Sequence, residues 1–193
     1  MTDSENQKKE VLDWDDSQFD SAVMIGHKME YIKRDKQYSK QNENKCIICK
    51  IVTKDPSVPR YEIYRNEFGI VFLNLYPYQT GHLMISPLRH VMGYEEYSSD
   101  EIREVNELIQ KSLVMLRKFG NTESFNVGWN QGEWSGGSIR HHHVHIVPRY
   151  RTDQNFMETI ARTKPFLYSL EEVLEKLQIY VPYLNGEKTI DQL

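Results

Sequence analysis

Apolar, β-branched and aromatic residues gather in short runs at 61–64 (Tyr-Glu-Ile-Tyr) and 69–74 (Gly-Ile-Val-Phe-Leu-Asn), with Asn66-Glu67-Phe68-Gly69 as a turn region between them. Runs of that length bounded by turn residues predict two strands. His-Leu-Met-Ile-Ser at 82–86 predicts a third, ended by Pro87. The period then lengthens. Ile102, Val105, Leu108, Ile109, Leu113 and Leu116 recur at helical spacing. Ser98 and Glu101 form a capping box at the start of that helix, and Gly120 marks its end. Residues 124–129 and 140–147 read as the fourth and fifth strands, separated by the glycine-bearing loop 130–138. A second helix opens at Ser169 with Glu172 and runs through Leu177. Five strands bracketing one long helix predict an α+β fold with an antiparallel sheet.

Outside that block the pattern weakens. Residues 1–44 are expected to form a partly disordered N-terminal arm, since Asp13, Asp15 and Asp16 repel one another. Within it, Phe19, Val23, Met24, Met29, Tyr31 and Ile32 offer enough apolar surface to dock on a core, and 35–45 reads as a linker. Residues 45–150 are expected to be one compact domain, and 151–193 a C-terminal extension carrying the second helix. A chain of 193 residues is long enough for that arrangement. Its composition, 27% charged and 39% hydrophobic, is ordinary for a soluble protein. A net charge of −4 argues against general DNA or RNA binding, which favours a basic surface. No apolar run approaches the ~18 residues of a membrane span. Residues 1–20 lack the apolar core of a secretory signal, so a cytoplasmic location is expected.

Chemistry enters with the histidines. Four of the seven, His141, His142, His143 and His145, fall within five residues, directly before Ile146 and Val147. On a strand, alternation places His141, His143 and His145 on one face and His142 with Val144 on the other, where a structural or solvated role is expected for His142. Three imidazoles along one face are a poor core, and imidazole serves as nucleophile, proton carrier or metal ligand near neutral pH. The only two cysteines stand as Cys46-Ile-Ile-Cys49. That spacing suits a metal knuckle or a redox pair, and so few cysteines argue against a disulfide framework.

Three segments together carry a resemblance. They are His141-x-His143-x-His145-Ile146-Val147, Asn74 eight residues before His82, and Asn130 eleven residues before His141 with Gly136-Gly137-Ser138 between. This set resembles the histidine-triad (HIT) superfamily of nucleotidyl hydrolases and transferases. Leu-Asn-Leu-Tyr-Pro-Tyr (73–78), Phe-Asn-Val-Gly (125–128), Asn155-Phe156-Met157 and Met29-Glu30-Tyr31-Ile32 are similar to the branch containing mycobacterial-type diadenosine tetraphosphate phosphorylases. Trp134, where small residues are expected, and Arg140-His141-His142 with Val144 depart from that branch.

The resemblance implies a HIT-like fold and an enzyme acting through a nucleotidyl-histidine intermediate. His143 matches the nucleophile that attacks the α-phosphorus, and His145 and His82 match imidazoles that bind phosphate oxygens and assist the leaving group. Asn130, Gly137 and Ser138 match phosphate contacts, and Asn74 matches a ribose contact, although an Asn at a strand end is also a common turn former. Ile47, Ile48, Ile51, Phe72 and Leu75 match the apolar walls of a base pocket, and would serve equally in a core. Cys46, Cys49, His90 and His141 match a structural zinc site, which would be closed and therefore not catalytic. The implied substrate is a dinucleoside polyphosphate, with phosphorolysis of diadenosine tetraphosphate to ATP and ADP expected. Arg149, Arg151 and Lys164 are candidate charges for the incoming phosphate. Hydrolysis to a nucleoside monophosphate and a non-catalytic nucleotide-binding module stand as alternatives. The resemblance also implies a homodimer or tetramer.

Overall fold

The computed structural model describes residues 46–151 and 166–193, together with Asp153 and Ile160. The expected N-terminal arm, the Asn155-Phe156-Met157 segment and Lys164 lie outside the described residues. Five strands form one sheet: β1 (Glu62–Arg65), β2 (Gly69–Leu73), β3 (Leu83–Pro87), β4 (Ser124–Gly128) and β5 (Val144–Arg149). Their order is β1-β2-β3-β5-β4 and every neighbouring pair is antiparallel. The helices are α1 (Ile47–Val52), α2 (Ser99–Gly120), α3 (Leu170–Gln178) and α4 (Val181–Leu184). The sheet and long helix are those expected from the pattern. Among the described residues, no helix is long and apolar enough to cross a membrane.

Strand parity divides the molecule. Val71, Ile85 and Val144 are paired across the sheet, as are Leu73, Leu83 and Ile146. These residues pack with Val105, Leu108, Met115 and Leu116 of α2, Val173 and Leu177 of α3, and Leu184 of α4. Phe72, Met84, His145 and Gly128 form another cross-sheet row, with side chains on a common face. There Ile70, Phe72 and Met84 meet Ile48 and Ile51 of α1 in a second, smaller cluster. Helix α1 thus covers part of that face. Beyond His145, Asn126 and Arg149 remain exposed.

The α2 start follows the expected capping box. Ser98 Oγ accepts from the Glu101 N–H (3.2 Å), and the Glu101 carboxylate accepts from the Ser98 N–H (2.8 Å). Arg89 grips the same carboxylate through two bonds (3.1 and 2.8 Å). Helix α1 was not legible from periodicity, because six residues complete fewer than two turns. It is held at its C-terminal end by Arg65, whose Nη1 donates to the Val52 carbonyl (2.9 Å).

One boundary differs from expectation in a way that shapes the site. β5 begins at Val144, not at residue 140, so His141, His142 and His143 precede the strand. Their backbone is committed elsewhere. The His142 N–H donates to the Val91 carbonyl (2.7 Å), and the His142 carbonyl accepts from Ser86 Oγ (2.9 Å). Pro87, closing β3, has no N–H with which to extend the ladder.

Candidate active site and metal centre

A cleft opens between α1, the row-bearing face of the sheet and the 130–138 loop. Nine residues expected to touch nucleotide lie along it: Ile47, Ile48, Ile51, Phe72, Leu75, Asn74, Asn130, Gly137 and Ser138; His82, expected to bind phosphate oxygens, is fully buried and does not line it. His143 and His145 close one end. Tyr61, Tyr76, Tyr78, Met84 and Ile139 also line it and were not anticipated. Strand parity could have found Met84, which pairs between Phe72 and His145. The tyrosines carried no comparable signal.

The hydrogen bonds around the histidines set which nitrogen carries a proton. His143 is 5% exposed, and its Nδ1 lies 2.7 Å from the His141 carbonyl. A carbonyl only accepts, so Nδ1 carries the proton and Nε2 keeps its lone pair. Burial favours the neutral ring and holds the His143 pKa below its ordinary value, against the opposing pull of that carbonyl. His82 is fully buried. Its Nδ1 accepts from the Tyr78 backbone N–H (3.0 Å), so its Nε2 carries the proton and donates to His145 Nδ1 (2.9 Å). His145 in turn carries its proton on Nε2. The two rings stand 5.1 Å apart, and the His143 and His145 rings 4.8 Å apart, edge to face. The arrangement therefore pairs one lone-pair imidazole with one N–H imidazole, backed by a third.

Asn74 lines the cleft, yet its side-chain oxygen accepts from the Tyr76 N–H (3.0 Å) and its Nδ2 lies 3.4 Å from His82 Nδ1. Its turn-forming role is thus realised. His142 lies away from the cleft, as alternation required, but it is 2% exposed and not solvated. Its Nδ1 is 2.8 Å from the Tyr97 hydroxyl, and its ring lies edge-on to Tyr97 and Trp129. Burial, then the neighbouring His143, lowers its pKa to about 4.

Behind the triad, Cys46, Cys49, His90 and His141 bring one ligand atom each within 4.8 Å of the others, a set that could hold a metal ion. Cys46 and Cys49 stand at the start and middle of α1, His90 follows β3, and His141 precedes β5. His141 is fully buried and Nε2 lies 3.1 Å from the Pro87 carbonyl. That contact places the proton on Nε2 and leaves Nδ1 facing both sulfurs, at 3.6 and 3.5 Å. A partner on the far ring nitrogen is what orients a metal-binding histidine. Burial, followed by the nearby His90, lowers the His141 pKa to about 3, so the ring is neutral, as ligation requires.

Comparison with known proteins follows the same lines. A family model described as the HIT domain matches residues 55–152, about half of the chain. An AP-4-A phosphorylase of Mycobacterium tuberculosis is 39% identical over 103 residues, 53% of this chain and 53% of that protein. The chain therefore spans about half the length of that relative. An uncharacterised HIT-like protein of Mycoplasma genitalium is 31% identical over 133 residues, 69% of this chain and 92% of its own. Among solved structures, a zinc-bound histidine triad family protein from Mycobacterium smegmatis superposes with a TM-score of 0.62 at 23% identity, over 76% of this chain and all of that one. A Plasmodium falciparum diadenosine triphosphate hydrolase gives 0.55 at 20%, over 81% and 97%. At those identities the superpositions speak for the fold alone. The family match, the sheet order and the clustered histidines agree, and the chain belongs to the HIT family.

Proposed function

We propose that the protein is a nucleotidyl transferase acting on dinucleoside polyphosphates through a nucleotidyl-histidine intermediate. The observation that carries this reading is the proton pattern of the three imidazoles. His143 Nε2 attacks the α-phosphorus with its lone pair as the bond from that phosphorus to the bridging oxygen breaks. His145 Nε2–H donates a hydrogen bond to the departing oxygen, whose developing charge stays on the polyphosphate that leaves with the bonding pair. His82, hydrogen-bonded behind His145, is a positioning residue that fixes the His145 tautomer. Asn130, Ser138 and the backbone beside Gly137 line the same end of the cleft and supply hydrogen-bonding groups for the phosphate. The base lies against Ile47, Ile48, Ile51, Phe72 and Leu75, where burial favours a purine face without reading its edge. In the second step inorganic phosphate attacks the nucleotidyl-histidine, freeing Nε2. Diadenosine tetraphosphate and phosphate then yield ATP and ADP.

The likeness over 103 residues to a phosphorylase supports phosphate as the acceptor. Water as acceptor is the second reading, favoured by the departures at Arg140, His142, Val144 and Trp134 from the expected phosphorylase pattern. Incubation with diadenosine tetraphosphate, with and without phosphate, separates the two. ATP and ADP formed only with phosphate support phosphorolysis. AMP and ATP formed without it identify a hydrolase.

Zinc fits the four-ligand set. Bonds of about 2.3 Å to sulfur and about 2.05 Å to nitrogen at a tetrahedral angle place S and N about 3.6 Å apart. Three of the four S···N separations are 3.2, 3.5 and 3.6 Å, and all four ligand atoms lie within 4.8 Å of one another. Cys46, Cys49, His90 and His141 would fill all four positions, so the ion would fix the α1 and His141 segments and take no part in the chemistry.

A further inference from the structure

We propose that Trp134 is the specificity-determining residue for the leaving half of the substrate, stacking on its nucleobase. This rests on the nucleotidyl-transferase reading and deepens it. Trp134 is 100% exposed. Tryptophan is normally among the more buried residues, and its indole face is a ready platform for an aromatic ligand. Its place in the chain is specific. The loop that presents it starts at Asn130 and ends at Ser138, both of which line the cleft, as does Gly136 two residues on. Two residues span at most about 7 Å, so the Trp134 backbone stands beside that cleft's phosphate end, while the exposed indole is not itself part of the cleft lining.

The loop is built to carry such a group. Trp134 sits in a short 3-10 turn, Glu133–Ser135, flanked by Gly132 (φ 88°) and Gly136 (φ 82°). Both hold left-handed backbone that side-chain-bearing residues rarely adopt, and a Cβ at either would meet nothing within 4 Å. The tip is therefore a one-turn paddle between two permissive positions, unpacked on either side. The only large apolar group it presents is the indole.

The cleft geometry selects which base it meets. The base bonded through the α-phosphate lies at the apolar α1 end, walled by Ile48, Ile51 and Phe72. The chain of phosphates leaving His143 runs the other way. There a second, open groove, bounded by Tyr78, Asn126, Trp129 and Arg149, joins the first through Tyr78, Asn130 and His145. Asn130, the root of the paddle, thus lines both. The occupant for which Trp134 is placed is the second nucleobase of a dinucleoside polyphosphate. A mononucleotide has no group to offer it.

The test measures equilibrium binding of diadenosine tetraphosphate and of AMP to His143→Ala protein, which cannot turn substrate over, with and without the added change Trp134→Ala. Removing one aromatic platform is expected to weaken dinucleotide binding about tenfold. AMP binding should change much less, and Trp134→Phe should restore most of the loss. The wild-type protein should show the same pattern as a rise in KM for the dinucleotide. Equal weakening of AMP and dinucleotide, or no weakening of either, overturns the assignment of Trp134 while leaving the enzyme reading intact. If neither nucleotide binds the His143→Ala protein and the wild type acts on neither, the enzyme reading itself fails, and this inference with it.

Discussion

A single backbone carbonyl decides what His143 can do. The His141 oxygen takes the Nδ1 proton, and the nitrogen left facing the cleft is nucleophilic. On the other side, a backbone N–H at Tyr78 starts a chain through His82 that ends in an N–H on His145. Two identical side-chain types thus receive opposite roles from main-chain partners. His143→Ala is expected to abolish turnover in a steady-state assay while nucleotide still binds, since the apolar wall is untouched. His82→Ala should lower kcat more than it raises KM, because its ring backs His145 and does not line the cleft; a change in KM alone would contradict a positioning role. The histidine spacing made the site legible in sequence, but the tautomers were not. They depend on a turn carbonyl and a loop amide that no side-chain pattern encodes. His142 shows the same limit: alternation gave its direction, while its burial came from Tyr97 in the loop before α2 and Trp129 just after β4.

Helices α1 and α2 divide support of the site between them. Helix α1 and its N-cap carry two of the four residues that could hold a metal and, through Ile47, Ile48 and Ile51, one wall of the cleft. A metal bound there would tie that wall to the histidine segment. Removal of the ion with a chelator, or Cys49→Ser, is therefore expected to lower the melting temperature and weaken AMP binding; unchanged values for both would show that the set holds no stabilising metal. Helix α2 was legible because its 22 residues repeat the apolar period several times and its cap has a sequence signature. Helix α1 was not, for want of length. Ser98→Ala should cost about 1 kcal/mol in denaturant unfolding, by loss of the cap. Glu101 adds a pH dependence. Its burial would raise its pKa, but hydrogen bonds from Arg89 and Ser98 outweigh that and leave it lowered from 4.5. The folded state thus holds the carboxylate form more tightly than the unfolded chain. That stability is complete above 4.5 and fades as pH falls through the lowered folded value. Glu101→Gln should therefore destabilise the protein at neutral pH and flatten this acid limb, which urea midpoints across pH will read.

At the scale of the whole molecule, one sheet serves two purposes on its two faces. The face under α2, α3 and α4 is a continuous apolar core. The other is only partly covered by α1, and the cleft and the open groove beside it meet at His145, where that cover ends. The five strands and the long helix could be read from the chain because each follows from local pattern. The insertion of β5 between β3 and β4 could not, since it depends on which edges meet. The proposed covalent bond between His143 and the α-phosphorus is tested most directly by mixing the protein with diadenosine tetraphosphate in the absence of phosphate, quenching within one turnover, and mapping modified peptides by mass spectrometry. An adenylyl group is expected on His143 and is absent from the His143→Ala protein. Turnover with no adduct, or with the adduct on another residue, would contradict it.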